Sequence, residues 1–112
     1  MPLLTSLVAD LRQPAQLLLS VGRTYDRALR VTSARRTSAE QARLYARWQA
    51  GLSVLPAAPP GSSLHEYGLA FDLARPSVDP RRDQLLAALG EVWNSWGGHW
   101  SARDPVHFEV RP

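Results

Sequence analysis

Three short stretches of strand character, residues 29–33, 69–73 and 106–110, are separated along the chain by stretches of helical periodicity. Leu29-Arg30-Val31-Thr32-Ser33 alternates and is partly β-branched, as a half-buried strand requires. The order reads helices, strand, helix, strand, helix, strand. That order predicts an α+β domain in which a small antiparallel sheet packs against several helices. At 112 residues and 45% hydrophobic the chain fits one compact unit with a real core, expected to span residues 1–112.

The helices can be placed from periodicity and punctuation. Leu3, Leu4, Leu7, Val8 and Leu11 recur at helical spacing and predict a short amphipathic helix. Pro14 then either opens a second helix, carrying Leu17, Leu18 and Val21 and ending near Gly22, or kinks the first. Ser38-x-x-Gln41 has the form of a capping box and opens a helix with Leu44, Tyr45 and Trp48 on its apolar face, closed by Gly51. Asp79-Pro80 pairs a cap with a first-position proline. It predicts a helix with Leu85, Leu89, Val92, Trp93 and Trp96 on one face, ended by Gly97-Gly98. Residues 51–64, with their Pro56-to-Gly61 run, read as a long irregular loop, either a lid beside a site or a simple connection.

Composition removes several kinds of chemistry. With no cysteine there is no disulfide, no thiolate nucleophile and no thiolate metal ligand, so a metal site must use histidines and carboxylates. All thirteen basic residues are arginine and the formal charge is +3, a mildly basic surface. The arginines are dispersed, which does not indicate a nucleic-acid face. The apolar N-terminus lacks a basic leader, its first basic residue being Arg12, and Asp10 interrupts it. Neither a signal peptide nor a membrane insertion is expected.

The three histidines are His65, His99 and His107. His65 stands seven residues before Asp72, with Gly68 between. A straight strand cannot turn both toward one side, because positions an odd number apart face opposite ways. His65 is therefore expected in the loop before the strand, with Gly68 permitting the turn and Phe71 and Leu73 facing the core. In Asp104-Pro-Val-His-Phe-Glu109, His107 and Glu109 share a strand face and Phe108 takes the other. Two imidazoles and one carboxylate suit a three-ligand zinc site with a fourth position open to water. Peptide hydrolysis also needs a carboxylate to carry a proton, for which Asp104 and Glu109 are candidates, and a donor for the oxyanion, for which Arg35 and Arg36 are placed.

Ser63-x-His65-x-x-Gly68-x-Ala70-x-Asp72 followed by Asp104-x-x-His107-Phe108-Glu109 resembles the metal-binding pattern of the D-alanyl-D-alanine carboxypeptidase family. That family takes in VanY- and VanX-type enzymes and phage L-alanyl-D-glutamate endopeptidases, within the LAS metallopeptidases that also include the hedgehog signalling domain. Thr32-Ser33-x-x-Arg36-Thr37-x-x-Glu40-Gln41-x-x-Leu44-Tyr45 is similar to the family's upstream arginine motif. Trp96-Gly97-Gly98-x-Trp100 looks like the endopeptidase branch. Ala34-Arg35 departs from the Gly-Tyr of many relatives.

The resemblance implies one Zn2+ held by His65, Asp72 and His107, Asp104 as general base, and Arg36 polarising the scissile carbonyl. It makes Ser63 and Gln41 supporting residues. Glu109 either orients His107 or is an exposed strand glutamate, and Trp100 either supports the site or contacts substrate. Trp93 and Trp96 are expected in the core, and His99 and Arg35 outside the chemistry. The implied activity is cleavage of the peptidoglycan peptide stem, at the L-alanyl-D-glutamate bond as in endolysins. The rivals are a D-alanyl-D-alanine carboxypeptidase or dipeptidase and a zinc-holding wall-binding module without turnover. The expected setting is a monomer made in the cytoplasm, acting on the wall after release through a partner such as a holin, with no separate wall-binding domain.

Overall fold

The computed structural model describes residues 3–111; Met1, Pro2 and Pro112 lie outside it, and with them the first two residues of the apolar N-terminal reading. A single 3-10 turn, Leu4–Ser6, leads into one long helix, α1 (Ala9–Tyr25), which runs through Pro14. No second helix opens at Pro14, and the helix ends three residues beyond Gly22. A proline inside a helix costs about 3 kcal/mol. The buried stripe Leu11, Ala15, Leu18 and Gly22 crosses Pro14 without interruption, and burying a leucine returns roughly 1.5–3 kcal/mol. Two leucines on that stripe offset the lost hydrogen bond. Gly22 is a packing residue, because a Cβ there would collide with Leu29 and Leu89.

The sheet is antiparallel in the order β1-β2-β3, with β1 Arg30–Ser33, β2 Ala70–Ala74 and β3 His107–Glu109. The expected α+β architecture is the one observed. Phe71 and Phe108 pair across β2 and β3 and stack with centroids 5.4 Å apart. Trp93 meets Phe71 edge-on at 5.2 Å, from helix α3 (Gln84–Ser95). These rings, with Leu18, Leu29, Leu73, Leu86 and Leu89, form the buried core on one face of the sheet. The opposite face of β2 and β3 carries Asp72, His107 and Glu109.

Several local expectations shift frame. The capping box at α2 (Ser38–Gln49) is Thr37 with Glu40, not Ser38 with Gln41: Thr37 Oγ1 accepts from the Glu40 N–H at 3.1 Å, and Glu40 accepts from the Thr37 N–H at 3.2 Å. Glutamate reaches back to the cap amide as an acceptor, and Gln41 is left to point inward. The apolar side of α2 is not core, since Leu44 and Trp48 are each 37% exposed. Asp79-Pro80 starts only the 3-10 turn Pro80–Arg82, and Asp83 caps α3 through the amides of Leu85 and Leu86. Trp93 is core as expected, but Trp96 caps the end of α3 and is 46% exposed. Among the described residues no helix is long and apolar enough to cross a membrane.

Candidate metal centre

The site begins with strand register. Asp72 and His107 are direct cross-strand partners in β2 and β3, and such pairs project side by side from one face. His65 arrives from outside the sheet, on a 3-10 turn, Leu64–Tyr67. Gly68 ends that turn at φ +71°, a left-handed conformation that a side chain disfavours, and the chain then swings into β2. Ser63 and Glu66 fix the start of the turn: Ser63 Oγ accepts from the His65 N–H at 3.3 Å, while the Glu66 carboxylate accepts from the Ser63 and Gly61 amides.

Three ligating atoms converge. His65 Nε2 lies 2.9 Å from Asp72 Oδ1 and 3.1 Å from His107 Nδ1, and His107 Nδ1 lies 3.3 Å from the same Asp72 oxygen. Among the described residues these three form a group able to hold a metal ion. Ligands at the ~2.0–2.1 Å typical of zinc stand about 3.3–3.4 Å apart in a tetrahedron, close to the spacing seen. The other nitrogen of each ring has an acceptor. His65 Nδ1 donates to the Ala34 carbonyl at 2.7 Å, and His107 Nε2 donates to Glu109 Oε1 at 2.7 Å. Those partners turn the remaining nitrogens toward Asp72, the arrangement that fixes tautomer and ring orientation in metal-binding histidines.

A carboxylate and two such nitrogens facing one another favour a positive charge between them, and the pKa shifts run in that direction. Burial works against a charged ring, yet the hydrogen bond and charge of Asp72, helped by Glu109, raise the His107 pKa to about 9. Burial would raise Asp72, but the bonds from His107 and His65 hold it well below the usual carboxylate range. A proton fills the cationic role by default, and a divalent ion would displace it.

Arg36 and Gln41 brace the far side. Arg36 Nη2 donates to Asp72 Oδ2 at 3.0 Å, leaving Oδ1 to the histidines. Arg36 Nη1 donates to Gln41 Oε1 at 3.1 Å, and buried Gln41 donates in turn to the Ala58 carbonyl at 2.8 Å. The 51–64 segment is thereby tied to the arginine. Glu109 is spoken for at both oxygens, by His107 and by Arg111 at 2.8 Å. The ion pairs of the site use Asp72 and Glu109 but not Asp104. Burial pushes the Asp104 carboxyl above its ordinary pKa; His107 opposes that and Asp72 adds to it.

One pocket of about 400 Å3 contains His65, Asp72, His107, Arg36, Gln41, Ser63, Asp104 and Glu109, and its rim includes His99 and Trp100. Trp100 is chiefly a brace. Its Nε1 donates to the Pro105 carbonyl at 2.8 Å, and its ring fills the space a Cβ at Gly90 would need, which holds the Asp104-Pro105 turn against α3. Arg35 stays outside this pocket. Two supports escaped sequence reasoning. The Ala34 carbonyl carries no side-chain signal at all, and Arg111 is recognisable only as a same-face neighbour of Glu109 two residues away.

Residues 57–110 match the model of a family described as D-alanyl-D-alanine carboxypeptidase. That stretch, just under half of the chain, is similar to this family. The matched residues hold all three convergent ligands, Asp104 and Glu109, whereas Arg36 and Gln41 precede them. Among solved structures, the chain is similar to the vancomycin-resistance D,D-dipeptidase VanXYg in complex with a D-Ala-D-Ala phosphinate analogue. The TM-score is 0.70 at 18% identity, over 93% of this chain and 50% of that one, so the chain spans half the length of VanXYg. It is also similar to a mutant of the vancomycin-resistance D,D-pentapeptidase VanY from a VanB-type cassette, in complex with Zn(II). There the TM-score is 0.63 at 20% identity, covering 86% of this chain and 67% of VanY. At these identities the likeness is one of fold. No curated protein sequence matches the chain.

Proposed function

We propose that the chain is a zinc-dependent peptidase acting on the peptide stem of peptidoglycan, with His65, Asp72 and His107 as the zinc ligands. The carrying observation is the convergence of three ligating atoms with Arg36 and an ion-pair-free Asp104 in one pocket. Zinc, when bound, supplies a Lewis acid for the scissile carbonyl and acidifies water.

The remaining work belongs to this chain's residues. Asp104 takes the proton from the attacking water and returns it to the leaving amine, and a raised carboxyl pKa suits a group that must do both. Glu109 is a poorer base, since both its oxygens already accept. Arg36 keeps guanidinium N–H groups beyond those given to Asp72 and Gln41, and these can polarise the carbonyl. Ser63, Gln41, Trp100 and Glu109 hold these groups in place.

Two bonds compete as the target. The family description and the D-Ala-D-Ala analogue bound by VanXYg favour the terminal D-alanyl-D-alanine bond. The Trp96-Gly97-Gly98-x-Trp100 stretch favours the L-alanyl-D-glutamate bond of endolysins. For the second bond the place of action is the cell wall, reached as a monomer through a release partner such as a holin. Digestion of sacculi and defined muropeptides by the zinc-loaded protein, read by mass spectrometry, decides. Loss of terminal D-alanine alone selects the first bond, and release of L-alanine-terminated glycan selects the second. Intact substrates across the pH range would leave a zinc-holding binding module.

A further inference from the structure

Two grooves meet along α2. The metal pocket is walled on that side by Arg36, Leu44 and Arg47. The same three residues also line a wider groove of about 700 Å3 between α2 and β1, together with Arg35 and Arg43. Arg43 and Arg47 stand one helical turn apart and so share a face. Arg35, Arg43 and Arg47 are all exposed. The arginines in ion pairs among the described residues are Arg36, Arg75, Arg81 and Arg111, which leaves these three without a carboxylate partner. Glu40 is the one acidic residue lining the wider groove, and its carboxylate already accepts from the Thr37 amide at 3.2 Å and hydroxyl at 3.0 Å.

Like charges one turn apart on a helix repel, so the Arg43–Arg47 pairing does not itself stabilise α2. It does present forked, permanently charged donors, matched to a carboxylate, along a wall continuous with the reaction pocket. We infer that Arg43 and Arg47, with Arg35 across the groove, receive a free side-group carboxylate of the substrate peptide near the scissile bond. The inference rests on the peptidase reading above and deepens it: the favoured substrate is an acidic stem, with its glutamate carboxylate free rather than amidated. A terminal carboxylate offers the same chemistry from another source, and the test separates the two.

The experiment titrates three forms of one stem peptide, L-Ala–γ-D-Glu–L-Lys–D-Ala–D-Ala, into zinc-loaded Asp104→Asn protein by calorimetry. The forms are the free acid, the form with the glutamate carboxylate amidated, and the C-terminal amide. The free acid is expected to bind about three- to tenfold more tightly than the glutamate amide, the range of one or two exposed charge pairs. The preference should fade with added salt. It should vanish in Arg43→Gln/Arg47→Gln and survive in Arg27→Gln, which removes another exposed charge after α1.

A glutamate preference that persists in the double variant overturns the inference. So does a preference that follows the C-terminal amide instead, or one lost equally in Arg27→Gln. Hydrolysis by the Asp104-containing protein is followed in parallel. The binding preference without any cleavage keeps the subsite and fails the peptidase reading, whereas cleavage indifferent to the glutamate carboxylate does the reverse.

Discussion

Asp72 and Asp83 are both acids withdrawn from water, each in contact with an arginine, with side chains 13% and 0% exposed. Around Asp83 every contact comes from a group that can only donate. Arg75 Nη2 and the amides of Leu85 and Leu86 reach Oδ1 at 2.8, 2.9 and 3.1 Å, and Arg75 Nε reaches Oδ2 at 3.0 Å. Asp26 completes the cluster by accepting from Arg75 at 3.2 Å. Around Asp72, Arg36 satisfies one oxygen, while the other faces two imidazole nitrogens whose rings already donate elsewhere. The first carboxylate is complete as folded and locks the start of α3. The second is complete only with a cation. Burial alone does not distinguish a structural acid from a candidate metal ligand; the donor capacity of its neighbours does.

The largest expected effect breaks the unfinished site. Asp72→Ala should reduce turnover to background and abolish the stabilisation that zinc confers. That stabilisation reaches about 2.7 kcal/mol at a hundredfold excess over Kd in the intact protein. Thermal melts with zinc and with chelator measure it, and a melting point in Asp72→Ala that still rises with zinc would reject the ligand set.

Asp104→Asn should keep the metal and lower kcat by about 10²–10⁴-fold, the usual range for a general base. Metal content and steady-state kinetics read the two halves of that statement, and near-normal turnover would hand the role to Glu109.

Asp83→Ala should cost about 1–3 kcal/mol by removing the cap of α3 and two of the three hydrogen bonds Arg75 gives to carboxylates, leaving it Asp26, while zinc still stabilises what remains folded. Denaturant titration with and without zinc checks both parts. A zinc response lost along with the stability would mean that the two acids are not independent.

Glu109→Gln should weaken zinc binding about 10–100-fold, as expected for the partner of a ligating histidine. Competition with a chelator of known affinity measures this directly.

The smallest effect is on pH. Burial raises the Asp83 pKa, but Arg75 and the Leu86 amide more than compensate, so its folded value lies below its unfolded one. Its stabilisation is therefore full above the unfolded value, about 3.9, and is lost as pH falls through the folded value. The stability gap between the wild type and Asp83→Asn should close below about pH 4 in denaturation curves, by the same linkage. A gap that is constant with pH would show that the carboxylate's charge is irrelevant.

The sheet and its partners were largely readable from residue order. Alternation placed Phe71, Leu73 and Phe108 toward the core, and all three are fully buried. Less readable were the points where two local rules compete. Thr37-Ser38-Ala39-Glu40-Gln41 contains two overlapping capping boxes, and only the inward pull on Gln41, between Arg36 and the Ala58 carbonyl, selects Thr37 with Glu40. Pro14 looked like a boundary because the cost of a proline is local, whereas the leucine stripe that overrides it is repaid across the whole of α1. Asp79-Pro80 and Asp83 both offer caps, and the one with an arginine partner from β2 starts the long helix.

For the metal centre, the sequence by itself determined the kinds of ligand. With no thiol in the chain, only histidine and carboxylate were available, and their spacing set His65 before Asp72 and Asp104 before His107. Only the tertiary structure decided how those residues are oriented. Cross-strand register set Asp72 beside His107, the Ala34 carbonyl turned His65, Glu109 turned His107, and Arg36 took the second oxygen of Asp72. A side chain's chemistry travels with its residue, but the direction of a lone pair depends on which partner the fold supplies to the other end.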